Sequence, residues 1–305
     1  MRYIVFGGGG FIGSYLIQRL KKDNHYVIAV DRHTPRHINS VADEFHVCKD
    51  IGNEIPINIK NIDGVFQLCA FSAGSQVLDS GTMDADIFIN NMLVNISVVK
   101  FCVKNNINKI FFSSSVCVYK GSDTYTCDPV NIYGWEKYSA EKLYTAVSRQ
   151  YGIDIRIGRI FNIYGPTQEF CGGKEQVIPS ICYKVYQSHN MISLHGNGSS
   201  ERCFLHVEDC ADAIVSVFNS DINVPVNIGS DAPMSIRDIA TLIATQSKKE
   251  VEIEFMSPND PPTKRICDNS LLKTTGWIQR ITLVDGILEL YNYVSKTIED
   301  NRLYS

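Results

Sequence analysis

Apolar residues in the first half of the chain come in short continuous runs. Arg2–Phe6 ends at a cluster of glycines, and Tyr26–Val30 ends at Asp31. Similar runs occupy Glu44–Cys48, Gly64–Cys69, Lys109–Ser114 and Asp154–Ile160. Segments with helical spacing lie between them: Phe11–Lys22, Asp84–Lys104 and Tyr133–Tyr151. Near-continuous apolar strands suit burial on both faces of a sheet. Strands that alternate with helices imply a parallel sheet covered by those helices. The expected fold is therefore α/β, a Rossmann-type doubly wound parallel sheet.

Beyond about Asn162 the alternation becomes irregular. Glycine and proline cluster at Gly165-Pro166, Gly172-Gly173, Gly196-Asn197-Gly198 and Pro258–Pro262. The pattern predicts a dinucleotide-binding domain over residues 1–162, with a return segment near 204–230. A smaller substrate-binding region then covers 163–305, with Met191–Leu194 as a short strand. Long loops of this kind carry substrate sites.

Gly7-x-x-Gly10-x-x-Gly13 follows the first predicted strand and opens the first predicted helix. In that context glycines permit a tight turn and close approach of a pyrophosphate to backbone N–H groups at the helix end. Asp31 closes the second strand, where a carboxylate accepts from the ribose hydroxyls of NAD and repels a 2′-phosphate. The neighbouring Arg32 leaves NADP as an alternative. Asp50 and Ile51 follow the third strand as candidate adenine contacts. Phe11, Ile12, Cys69 and Ala70 complete the cofactor-binding set, together with Tyr133 and Lys137.

A tyrosine has an ordinary pKa of about 10 and needs help to act as a base at neutral pH. A lysine four residues on lies on the same helix face, and its charge favours the phenolate. Tyr133 and Lys137 have that spacing, as do Tyr138 and Lys142. The pairs start five residues apart and cannot both face one site in a helix of about 3.6 residues per turn. The first pair is preferred, because Gly134 leaves room beside it and a Pro/Asn loop precedes it. Ser115, just past the fifth strand, is placed to bridge a substrate oxygen and Tyr133. Ser113 and Ser114 are adjacent candidates.

Together these residues resemble the extended short-chain dehydrogenase/reductase family, the NAD-dependent epimerases and dehydratases that work on nucleotide sugars. The resemblance runs over nearly the whole chain. Its most specific strings are His25-Tyr-Val-Ile-Ala, Asp43-Glu-Phe-His46, Ser114-Ser-Val-Cys-Val-Tyr119 and Tyr133-Gly-x-Glu-Lys137. Arg156-Ile-Gly-Arg159, Asn162-Ile-Tyr-Gly-Pro166 and Pro225-Val-Asn-Ile-Gly-Ser-Asp231 continue it. It implies a nucleotide-sugar epimerase working through a 4-keto intermediate on a GDP-mannose-like hexose or heptose, at C3, C5 or both.

The resemblance also implies roles for further residues. Cys117 falls at an acid/base position, and a thiol can both donate and accept a proton. The opposite-face lysine of the family is replaced by Gln176, with Lys174 two residues earlier as a substitute. Gln176 then counts as a substrate contact. Asn162 is expected to point at sugar or diphosphate, and Arg202 and Arg265 to hold the diphosphate through bidentate bonds. His206 and Asp209 are expected to stabilise the return into the sheet. Phe71-Ser-Ala-Gly-Ser75 replaces a Gly-Gly segment of the family. Because of these departures, a C4 dehydrogenase or C4 epimerase stays open as an alternative, as does a non-catalytic nucleotide-binding protein.

Composition narrows the partners. Net charge is −4, from 29 basic and 33 acidic residues, with no basic block to suggest nucleic acid. No apolar run reads as a membrane span, and the N-terminus reads as a strand entering a turn rather than a leader. The ten cysteines show no zinc spacing and suit a reducing cytoplasm. A homodimer through the two long helices is expected by analogy with the family.

Overall fold

The computed structural model describes residues 1–35, 40–57, 59–71, 80–121, 126–173, 175–257, 259, 261 and 263–300. The chain begins with β1 (Arg2–Phe6), the glycine turn and α1 (Phe11–Lys22). It continues through β2 (Tyr26–Asp31), β3 (Glu44–Val47), β4 (Gly64–Gln67) and α2 (Asp84–Lys104). Next come β5 (Lys109–Ser115), a tight helical turn at Val116–Val118, α3 (Ile132–Tyr151) and β6 (Asp154–Ile160). The runs predicted from apolar pattern are thus strands, and Ser115 closes β5 instead of following it.

The later part holds β7 (Asn162–Tyr164), α4 (Val177–Gln187), β8 (Met191–Leu194), β9 (Glu201–His206) and α5 (Val207–Asn219). It ends with β10 (Val226–Ile228), β11 (Pro233–Ser235), α6 (Ile236–Ser247), β12 (Glu252–Phe255), β13 (Lys264–Arg265), α7 (Ser270–Lys273) and α8 (Leu283–Glu299).

A seven-stranded sheet runs β10-β6-β5-β4-β1-β2-β3, with each neighbouring pair parallel. β1 lies between β2 and β4, so the strand order reverses there. The crevice outside strand ends at such a point is where open α/β sheets bind ligands. The glycine turn leaves β1 at that place.

Both faces of the sheet are covered. On one, Leu16, Ile17 and Leu20 of α1 meet Ala213, Ile214 and Val217 of α5, all at most 1% exposed. On the other, Val98 and Cys102 of α2 and Ala140, Tyr144 and Val147 of α3 pack on Ile4, Val65, Ile110 and Phe112. Each fully buried aliphatic side chain contributes roughly 1.5–3 kcal/mol. A third core joins α4, α6 and α8 through Ile181, Ile243 and Leu290.

The 21 residues of α2 are long and apolar enough to cross a bilayer by length and composition alone. They pack in the fold instead. Buried Asn91 and Asn95 face α3, where they hydrogen-bond to Glu136.

Candidate active site

The glycine turn is a close-packed object. An ideal Cβ on Gly13 would lie 2.0 Å from Gly7 O, and one on Gly9 would lie 2.3 Å from His33 O. Gly7 itself has φ +85, a left-handed conformation that favours glycine. α1 starts at Gly10 with no capping side chain, and its first turn carries no acid. Its N–H groups and positive dipole end are therefore left for an anion. Asp31 accepts from Gly9 N at 3.0 Å and from His33 N at 3.3 Å, which locks its carboxylate against the turn.

A cavity of about 670 Å3 opens over this turn. Gly7, Gly10, Phe11, Asp31, Arg32, Asp50, Ile51, Cys69 and Ala70 line it. The uncapped helix end, the glycine cradle and the fixed carboxylate fit a dinucleotide such as NAD. Two expected contacts, Ile12 and Gly13, are not among the lining residues. Gly13 sits beneath the turn, against Gly7, and Ile12 packs into the core. Tyr133 and Lys137 are likewise not among the described lining residues. Burial pushes the Cys69 thiol up, the charge of Asp31 adds to that, and the charge of Lys137 opposes it.

Asn131 caps α3, its side-chain oxygen accepting from Gly134 N at 3.0 Å. That fixes Tyr133 and Lys137 in the first two turns of the helix. Lys137 is 2% exposed; its Nζ donates to Ser113 O at 3.2 Å and lies 5.6 Å from the centre of the Tyr133 ring. Burial pushes the Tyr133 phenol well up, and the charges of Cys117 and Glu136 add to that, while a hydrogen bond with Ser115 opposes it. Cys117 thus lies within electrostatic reach of Tyr133. Its backbone presses on the same helix, since a Cβ on Gly134 would lie 2.1 Å from Cys117 O. Ser115 Oγ accepts from Cys117 N at 3.2 Å, holding the turn that presents the thiol. The rival pair is elsewhere: Lys142 lies over the Tyr138 ring at 4.5 Å, and Lys142 is exposed.

Sequence reasoning missed Glu136. It is fully buried beside Lys137, with Oε2 4.0 Å from Nζ. Asn91 and Asn95 donate to its two oxygens at 3.1 and 3.2 Å. Burial pushes this carboxyl up; Lys137 and Asn91 pull it down. A second missed network runs under Cys117. Arg159 holds Glu141 with both arms of its guanidinium and donates to Tyr119 Oη at 2.6 Å. Tyr119 donates to Asn227, whose amide donates to Asp268 O.

Arg202 and Arg265 face each other in register on the parallel pair β9 and β13. Burial, and then the charge of Arg265, lowers Arg202 to about 10. Arg202 donates to the Thr263 carbonyl and hydroxyl, both uncharged. Two adjacent cations held in this way favour an anion between them. Asn162 departs from expectation, for its amide donates to Cys203 O at 3.0 Å and ties β7 to β9. Gln176 is exposed at the N-terminus of α4 and lines the dinucleotide cavity. Lys174, and residues 72–75 of the altered glycine segment, lie outside the described residues. His206 and Asp209 do join the return segment: His206 caps α5, and Asp209 accepts from Arg280 N and Ile281 N.

The profile of the family described as "NAD dependent epimerase/dehydratase family" matches residues 3–229. GDP-mannose 3,5-epimerase 1 of Oryza sativa subsp. indica is 30% identical over 99% of this chain and 84% of its own length. GDP-mannose 3,5-epimerase of Arabidopsis thaliana has the same identity and coverage. Among solved structures, the UDP-glucose 4-epimerase of Thermotoga maritima superposes with a TM-score of 0.86 at 23% identity, covering 98% of this chain and 100% of that one.

Proposed function

The chain belongs to the NAD dependent epimerase/dehydratase family, and on that premise we propose that it inverts C3, C5 or both on a GDP-mannose-like sugar through a 4-ketone. It is an enzyme of nucleotide-sugar chemistry with NAD as cofactor. Held by the glycine turn and Asp31, NAD would supply the hydride acceptor and donor for sugar C4. The remaining work falls to the chain's own side chains.

Tyr133 takes the proton of the 4-hydroxyl. Burial holds that phenol protonated at rest, so the Lys137 ammonium beside its ring must favour the phenolate. Ser115 orients the same oxygen. A 4-ketone acidifies the hydrogens on C3 and C5, because the carbanion delocalises as an enolate. Cys117 exchanges protons at those carbons, and Lys174 is the proposed partner on the opposite face. Arg202 and Arg265 hold the diphosphate. Asp31 accepts from the adenosine ribose, and Asp50 and Ile51 lie beside the adenine.

The observation that carries this reading is the seat of Cys117. Cys117 sits on a turn pinned by Ser115 Oγ, its backbone pressed on Gly134, the residue next to Tyr133, and its charge acts on the Tyr133 phenol. Hydride exchange at C4 alone has no use for it. Turnover of GDP-mannose in heavy water, followed by proton NMR, is the test. Deuterium should enter at C3 or C5, and Cys117→Ala should lose that exchange while still oxidising C4. Full exchange by the variant would remove Cys117 from the mechanism.

Gln176 supports a second reading. A carboxamide cannot shuttle protons, and this one lies exposed at the start of α4. An enzyme without an opposite-face acid would be a C4 dehydrogenase or C4 epimerase, on a GDP- or UDP-sugar. A 4-keto or C4-inverted product free of deuterium would establish it. NAD binding without turnover of any nucleotide sugar would point instead to a non-catalytic protein. A cytoplasmic homodimer completes the reading: the ten cysteines are free, and α2 and α3 expose Ile89, Leu93 and Trp135.

A further inference from the structure

After Gln67 the chain leaves β4 and passes beside the glycine turn. An ideal Cβ on Gly7 would lie 2.9 Å from Cys69 N, and Cys69, Ala70 and Phe71 line the dinucleotide cavity. Backbone groups that leave a ladder need other partners, and here side-chain carboxamides take the place of a neighbouring strand. Gln67 accepts from Cys69 N at 3.2 Å and donates to Cys69 O at 3.0 Å. Asn91 of α2 accepts from Phe71 N at 2.6 Å and donates to Phe71 O at 3.1 Å.

Both clamps end on one carboxylate. Asn91 donates to Glu136 Oε2 at 3.1 Å. Gln67 donates to Asn95 Oδ1 at 3.1 Å, and Asn95 in turn donates to Glu136 Oε1 at 3.2 Å. All four side chains belong to residues at most 1% exposed. Neither asparagine is free to turn over. Asn91 Oδ1 is committed to Phe71 N, and Asn95 Oδ1 accepts from Gln67 and from Tyr144 Oη at 3.2 Å. The two amides therefore need two acceptor atoms on one side chain, which an ionised carboxylate has and a carboxamide lacks. The opposite charge that a buried carboxylate requires comes from Lys137, whose Nζ is 4.0 Å from Glu136 Oε2.

We propose that Glu136 is a positioning residue for NAD: acting through Asn91 and Asn95, its carboxylate anchors the Cys69–Phe71 side of the dinucleotide cavity to α3 and so sets the affinity for the cofactor. Glu136 is fully buried and acts only through the carboxamides. The inference rests on the assignment of the cavity to NAD.

Calorimetric titration of NAD into the wild type, Glu136→Gln and the double variant Glu136→Gln/Asn95→Asp tests it. Glutamine keeps the shape of the side chain, but its amide meets the amide of Asn91 or of Asn95 whichever way it turns. NAD should bind this variant roughly three- to tenfold more weakly, the worth of one hydrogen bond, at the wild-type stoichiometry. In the double variant the new carboxylate at position 95 accepts from the new amide at 136 as well as from Gln67 and Tyr144, and an oxygen at 136 remains for Asn91. Affinity should therefore recover. A role confined to stability would lower the stoichiometry, because fewer molecules fold, and leave the affinity of the folded ones as it was. That result overturns the proposal, as does equal binding by all three proteins or a loss that the double variant fails to recover. Asn95→Leu cuts the same chain of bonds at a residue that is not among those lining the cavity. It should show the same loss, and it decides the matter if Glu136→Gln does not fold. A wild type that binds no NAD refutes the assignment of the cavity, and the proposal with it, before any variant is compared.

Discussion

Glu136 shows how much one unremarked side chain can carry. It is a buried carboxylate beside a buried ammonium, and two amides from α2 satisfy its oxygens. Glu136→Ala leaves Asn91 and Asn95 without their acceptor and Lys137 without its nearest anion. Breaking such a buried pair costs about 3–5 kcal/mol, and urea unfolding should show that loss. A stability within about 1 kcal/mol of wild type would mean that water or Asp/Glu elsewhere takes over the role. Tyr133 and Lys137 were legible because i,i+4 spacing states a shared face. Glu136 stands at i+3 from Tyr133 and shares that face by the same rule. It drew no reading of its own, and glutamate is rarely buried. Cys117 was legible through resemblance, whereas its contact with Gly134 depends on how a strand end meets a helix and had no signal in spacing.

Among the elements, α1 and α3 each meet a turn at a glycine with no space for a methyl group. Gly13→Ala should part the β1 turn from α1, and NAD binding measured by fluorescence should fall by at least tenfold. Gly134→Ala pushes the Val116–Val118 turn from α3 and moves the thiol relative to Tyr133. Deuterium incorporation should then fall further than C4 oxidation; an equal fall in both would show that the helix itself had moved. The strands of the large sheet were readable because burial on both faces leaves an unbroken apolar signature, as in Ile110–Phe112 and Ile4–Phe6. β11 and β13 left no such mark. They are three and two residues long, too short to show a period, and their place is set by pairing with β9. The long helix α2 is apolar enough for lipid by composition, but its two buried asparagines belong to a polar contact inside the protein.

For the whole molecule, His206 ties stability to pH. The ring is fully buried, and burial lowers it to about 4 from an ordinary 6.5. Its Nε2 is 3.5 Å from Glu289 and makes no hydrogen bond among the described residues. The folded protein keeps this imidazole neutral, while the unfolded chain takes up a proton below about 6.5. Stability should therefore fall between pH 6.5 and 4, by up to about 3 kcal/mol from this group. His25 is lowered as well and adds to the same slope. His206→Asn keeps an acceptor to cap α5, so its urea midpoint should depend less on pH across this window; an unchanged slope would assign the effect to other groups. The paired arginines of β9 and β13 have a different consequence. Like charges in register push apart the two strands that carry them, and β13 has only two residues with which to resist. An anion between Arg202 and Arg265 would turn that repulsion into a bridge, so ligand would act as a missing clasp between the central strand and the last part of the chain. Amide hydrogens near Lys264 and Arg265 should then exchange with solvent quickly in the free enzyme and slowly once GDP is bound.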